Sequence, residues 1–168
     1  MPTTKLDEYK KLTELANQQK TTCLAALEAF LSAKETVALL AANMDRMHRL
    51  NDCFGFSVGD SVLFAVRSIF KNRFGDNFYW QGNEFIAFIV GEAVSRVHEV
   101  EESIRSDVKK LRFERHPDLI PSISVGLTIC ENDGRTPSQL LRDAEDEIKE
   151  ARRTNAIREL KQEKRRQQ

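Results

Sequence analysis

Two β-rich runs, Phe78–Gln81 and Glu84–Val90, are separated only by Gly82 and Asn83. A two-residue Gly/Asn loop between such runs specifies an antiparallel hairpin, because these residues accept the backbone angles that follow strand twist. One hairpin cannot stand alone in water, so it needs further strands and helices to cover it. Thr36–Met44 supplies a short apolar run with β-branched residues at its start, suited to a buried central strand. Ser122–Ile129 alternates and is β-rich, which reads as a further strand.

Helical spacing fills the remainder. Residues 5–33 carry Leu6, Tyr9, Leu12 and Ala16, then Leu24, Leu27, Phe30 and Leu31, at intervals of three or four. The polar run Asn17–Thr22 interrupts this pattern and predicts a break, with Thr21 or Thr22 capping the second piece. Asp45–Asp60 is mixed and holds a Gly-bearing stretch, while Ser61–Lys71 and Glu92–Phe113 read as helices. Thr136, Pro137 and Gln139 form a helix start with N-cap, first-position proline and reciprocal cap partner. The order helix, strand, helix, strand, strand, helix, strand, helix predicts an α+β sandwich. Its core is a ferredoxin-like β-α-β-β-α-β unit with a mainly antiparallel sheet covered by helices.

Composition narrows the function classes. Hydrophobic residues are 40% of the 168, enough for one buried core and too many for a disordered chain. Formal net charge is zero, which argues against a nucleic-acid binder except where charge is local. No apolar run approaches a membrane span, and no secretory leader is legible at the start. Cys23, Cys53 and Cys130 are scattered, without a CxxC, so neither disulfides nor zinc are indicated and a reducing cytoplasm is expected.

Several segments, in order, resemble a known family. Leu12–Gln18 looks like an LTGLxNR opening motif. Asn51-Asp52 with Phe54–Asp60 looks like an ND…GHxxGD segment. Gln81-Gly82-Asn83-Glu84-Phe85 stands where a GGDEF signature belongs, Ser122–Gly126 looks like an SxG strand, and Asp143–Arg152 looks like an AD…AK helix. The chain resembles the GGDEF domain of diguanylate cyclases over residues 10–156, with residues 1–9 as an N-terminal extension and 157–168 as a basic helical tail. The resemblance implies the nucleotidyl-cyclase palm fold. It also implies condensation of two GTP molecules into cyclic di-GMP through two Mg²⁺ ions, which lower the pKa of the attacking hydroxyl and neutralise developing charge.

The departures redirect the expectation. The resemblance places the metal ligands at Asn43 and Asn83, both amides. An amide brings no charge to a cation that favours carboxylates and phosphates, so metal affinity falls by several kcal/mol. Gln81 replaces the first signature glycine, His48 replaces a phosphate-contacting Lys, Arg152 keeps the cation of the closing Lys, and Asn155-Ala156-Ile157 replaces Gly-Arg-Asn. Asn51 and Asp60 match the guanine-reading pair. Asp45 and Glu84 are retained acids that could carry a rearranged metal site, and period-2 alternation puts Asn43 and Asp45 on one face. Arg73-Phe74-Gly75-Asp76 is an RxxD of the kind that binds cyclic di-GMP as product inhibitor, but only four residues separate it from Gln81, one fewer than in the family.

The expectation is therefore a catalytically inactive, regulatory GGDEF-like domain in cyclic-dinucleotide signalling. It would bind GTP, cyclic di-GMP or a protein partner, with no resident cofactor. The alternatives are an active cyclase or nucleotidyltransferase using Mg²⁺ on Asp45 and Glu84, and a pure interaction module. A homodimer through the N-terminal helix is compatible with each. Arg152, Arg153, Arg158, Lys161, Lys164, Arg165 and Arg166 against Glu159 and Glu163 make the tail basic, read here as a solvated helix rather than a nucleic-acid contact. His48, His98 and His116 read as surface or loop residues, Cys53 and Cys130 as packing residues, and Tyr79 and Trp80 as anchors.

Overall fold

The computed structural model describes residues 4–167. Four strands, β1 (Val37–Met44), β2 (Phe78–Gln81), β3 (Glu84–Val90) and β4 (Ile123–Cys130), form one sheet of order β2-β3-β1-β4 in which every pairing is antiparallel. This is the ferredoxin-like arrangement that the order of elements predicts. Gly82 takes φ 60, as the first central residue of a II′ turn does, and closes the hairpin with Gln81 opposite Glu84.

The helices are α1 (Lys5–Ser32), α2 (Met47–Phe54), α3 (Phe56–Phe74), α4 (Val97–Lys110) and α5 (Pro137–Arg166). Alternation along β1 divides the core. Ala38, Leu40, Ala42 and Met44 pack with Val62, Val66, Phe70, Ile104 and Val108 of α3 and α4. Val37, Leu39 and Ala41 pack with Cys23 and Leu27 of α1 and Leu140, Ala144 and Ile148 of α5. The sheet thus lies between two helical layers and is buried on both faces, which is why β1 is apolar throughout.

Three local expectations are corrected. Helix α1 is continuous, with no break at residues 17–22. Thr21 Oγ donates back to the Asn17 carbonyl at 3.0 Å, and Gln19 Nε2 donates to the Phe78 carbonyl at 2.9 Å. The polar run is where the helix crosses the hairpin edge, and its true cap is a Thr4/Asp7 capping box. The helix expected over Glu92–Phe113 begins as a 3₁₀ turn at Gly91–Arg96 that buries Val94, and Leu111 leaves it at ψ 134. The mixed stretch after Asp45 resolves into α2 and the start of α3, joined at Gly55, φ 91. The expected capping box at Thr136 and Gln139 is present, and α5 runs without interruption past residue 157.

At the start of α5, Arg135 donates to Asp133, Asp143, the Thr128 hydroxyl and the Ile129 carbonyl. It also holds the Asp133 carboxyl well below its ordinary range. This clasp fixes α5 against the end of β4.

Candidate functional site

The site grows from the end of β1. Asn43 faces Glu84 on β3 and Ser124 on β4, so all three lie on the α1/α5 side of the sheet. The strand ends at Met44, yet Asp45 stays on that side. Its carboxylate accepts from Ser122 Oγ at 2.7 Å and from Ser124 Oγ, and Arg152 Nε lies 3.9 Å away. Arg152 also donates to the Met44 carbonyl at 3.0 Å, tying α5 to the strand end. The Asn83 carbonyl accepts from Met44 N–H, which leaves the Asn83 amide exposed on the hairpin tip.

Glu84 is half-buried and has a different neighbour. Burial raises its carboxyl pKa, and the charge and a hydrogen bond of Glu145 on α5 raise it further, with Lys20 opposing. Lys20 Nζ also donates to Gln81 Oε1 at 3.1 Å. The nearby charge of Glu145 disfavours the ionised form of Glu84. A raised folded-state pKa contributes stability below the ordinary value, and that contribution is lost as pH rises through the folded value. Glu84→Gln is therefore expected to raise the melting temperature at pH 7 and to lose that gain near pH 4, read by calorimetric scans at both pH values.

Two clefts flank the hairpin tip. One, of about 680 Å³, lies between α1, α3 and the hairpin; Asp60, Leu63, Trp80, Gln81 and Gly82 line it. In it the Arg67 guanidinium sits 4.4 Å over the Trp80 ring and 5.0 Å over Phe64. The other, of about 1070 Å³, lies between the β1 end, α2, α4 and α5 and contains Asp45, His48, Asn83 and Arg152. Asn51 lines neither cleft. Its buried Oδ1 is turned against Gly59 and has no hydrogen-bond partner among the described residues.

A family profile described as "Diguanylate cyclase, GGDEF domain" matches residues 8–158. The chain belongs to the GGDEF domain family. Over 124 residues this GGDEF domain is 29% identical to the response regulator PleD of Caulobacter vibrioides, covering 70% of the chain and 27% of PleD. Over 98 residues it is 32% identical to the diguanylate cyclase DgcM of Escherichia coli K12, covering 56% of the chain and 24% of DgcM. It therefore spans only a minor part of the length of these relatives.

Its fold is similar to the active GGEEF domain of a diguanylate cyclase from Vibrio cholerae, at TM-score 0.71 and 18% identity, covering 82% of this chain and 90% of that one. It is also similar to the GGDEF domain of DgcB from Caulobacter crescentus, solved with c-di-GMP, at TM-score 0.70 and 20% identity, covering 80% and 82%.

The signature of this GGDEF domain, Gln81–Phe85, thus forms the ridge between the two clefts. Asn83 and Glu84 diverge: the amide lines the larger cleft, and the carboxyl turns toward Glu145. Asp60 and Asn51, paired in the sequence reading, are not brought to one cleft; only Asp60 lines the α1/α3 cleft. His48 is almost wholly exposed, 3.3 Å from Asp52. Arg73 and Asp76 do not converge. Arg73 donates to Ser103 at 2.6 Å and to Asp107, while Asp76 lies 3.5 Å from Lys71. Ser122, Ser124 and Glu145 are site residues that the residue-level reading did not single out. Residues 145, 148 and 152 follow i, i+3, i+7 spacing, which signals that Glu145 and Arg152 share the sheet-facing side of α5. No helix among the described residues is long and apolar enough to cross a membrane.

Proposed function

We propose that this GGDEF domain is a regulatory domain that binds a guanine nucleotide at the hairpin and does not make cyclic di-GMP. The observation that carries the reading is the donor set at the β1 end. Asn43 and Asn83 are amides; of the two carboxyls beside them, Asp45 already accepts from two serine hydroxyls and faces Arg152, and Glu84 turns toward Glu145. These residues do not fit a pair of Mg²⁺ ions, which require carboxylate charge with free lone pairs. Glu84 offers no substitute, since it faces another carboxyl rather than Asp45.

Base recognition fits better. The α1/α3 cleft offers apolar walls, Trp80 and the Asp60 carboxylate, an acceptor suited to the N1–H and N2–H₂ edge of guanine. Phosphates on the ribose 5′-oxygen of that nucleotide would reach across the Gly82 turn into the larger cleft. Binding of cyclic di-GMP at Arg73 and Asp76 is disfavoured, because Arg73 is already paired with Asp107.

Incubation with GTP or ATP and either Mg²⁺ or Mn²⁺, read by mass spectrometry, is expected to yield no cyclic dinucleotide. Calorimetry is expected to show guanine-nucleotide binding that Asp60→Ala weakens. Turnover abolished by Glu84→Ala would refute the proposal and favour an active cyclase with its metal on Asp45 and Glu84. A specific observation favours a second role alongside the first. Leu6, Tyr9, Leu12 and Leu15 are exposed on α1, a surface suited to a homodimer or a protein partner. The solved relatives include a diguanylate cyclase, SiaD of Pseudomonas aeruginosa, in complex with its activator SiaC.

A further inference from the structure

We infer that the outer face of the α5 tail docks this domain on an anionic lipid bilayer, with Ile157 and Leu160 entering the headgroup layer between flanking Lys and Arg side chains. The inference stands apart from the nucleotide reading. Helix α5 is tied to the sheet as far as Arg152, which donates to the Met44 carbonyl. Beyond Arg152, among the described residues, no side chain of α5 hydrogen-bonds to another element. The helix nevertheless continues to Arg166, about four turns further.

The tail is two-sided. At about 100° per residue, Arg153, Leu160, Lys161 and Lys164 fall within about 60° of Ile157. Arg152, Asn155, Ala156 and Gln162 occupy the other side and line the larger cleft, so the face around Ile157 is turned away from the domain. Ile157 is 46% and Leu160 58% exposed. Among the described residues, Lys161, Lys164 and Arg165 have neither a hydrogen-bond nor an ion-pair partner. A projecting helix gains nothing in water from two large apolar side chains set among unpaired cations.

Charge selects the occupant. The whole chain has a formal net charge of zero, while Arg and Lys well outnumber Glu in the tail, so the rest of the domain is acidic. The outer face itself changes sign toward the sheet, where Asp146 and Glu150 precede Arg153 and are paired with Lys149 and Arg153. An anionic surface therefore attracts the tail and repels the body, which fixes the orientation of the docked domain. A bilayer satisfies both parts of the face: the apolar pair sinks to the acyl boundary, and the flanking Lys and Arg stems extend to the headgroup phosphates. A nucleic-acid backbone would neutralise the cations and leave Ile157 and Leu160 in water.

The test is cosedimentation of the full chain with vesicles of phosphatidylglycerol and phosphatidylcholine in equal parts, beside vesicles of phosphatidylcholine alone. Binding is expected only to the anionic vesicles, and it is expected to fall as salt is raised. Combining Lys161→Gln, Lys164→Gln and Arg165→Gln is expected to weaken it about a hundredfold. Ile157→Asn with Leu160→Asn keeps every charge and is expected to weaken it about tenfold. Both variants are expected to melt with the wild type, since the altered side chains are exposed. The inference is overturned if the wild type binds neither vesicle, if it binds neutral vesicles equally well, or if either variant binds as the wild type does. A homopolymeric RNA titrated in parallel tests the other polyanion. RNA bound more tightly than the anionic vesicles, and indifferent to the Ile157 and Leu160 substitutions, would put nucleic acid in place of the bilayer and overturn the inference.

Discussion

Asn43→Asp combined with Asn83→Asp is expected to make nucleotide binding more dependent on Mg²⁺ than it is in the wild-type chain. A carboxylate about 4 Å from a divalent ion contributes about 2 kcal/mol even at the dielectric of water. Two such groups contribute about 4 kcal/mol, roughly a thousandfold in Mg²⁺ affinity. The geometry favours the change: Asn43 lies opposite Glu84 in the β1/β3 register, and Asn83 sits on the exposed tip of the same hairpin. Titration of Mg²⁺ into each protein with a non-hydrolysable GTP analogue reads the difference directly. No gain in the double variant would move the defect to Gln81, whose amide is held by Lys20 at 3.1 Å, and to the altered phosphate contacts.

The second large effect concerns the scaffold. Gly126→Ala is expected to destabilise the domain by about 3 kcal/mol or more, in the upper range for overpacked cores. A Cβ at Gly126 would stand 2.0 Å from the Ala144 carbonyl oxygen and 2.8 Å from the Ile148 nitrogen. Those are backbone atoms of α5, so relief requires the helix to lift off β4, and with it Arg152 would leave the end of β1. Gly59→Ala is the informative contrast. Its Cβ would meet Asn51 Oδ1 at 1.9 Å and Met47 Cε at 2.9 Å, the far ends of side chains that can rotate aside. Urea unfolding of both variants is expected to rank Gly126→Ala clearly as the more damaging. Equal midpoints would show that α5 yields as readily as a side chain.

Much of the architecture was legible because its signals are local. The Gly82-Asn83 turn, the apolar run of β1 and the capping box at Thr136 each act over a few residues, and each element formed where its pattern placed it. The errors have a common source. Asn17–Thr22 reads as a helix break when viewed alone, but Gln19 and Lys20 of that run bond to the hairpin, and tertiary contact overrides local propensity. The 3₁₀ turn at Gly91–Arg96 likewise serves to bury Val94 against the core.

The chemistry divides along the same line. Covalent identity alone decided that the two positions the family resemblance assigns to metal ligation hold amides, since no fold can add charge to Asn43 or Asn83. Only the tertiary structure decided what surrounds them. It bound Asp45 to the hydroxyls of Ser122 and Ser124, nearly eighty positions away, turned Glu84 toward Glu145, and brought Asp45, Asn83 and Arg152 to one cleft. Charge sign is carried by each residue, whereas electrostatic function depends on distance, and distances between remote residues exist only once the chain has packed.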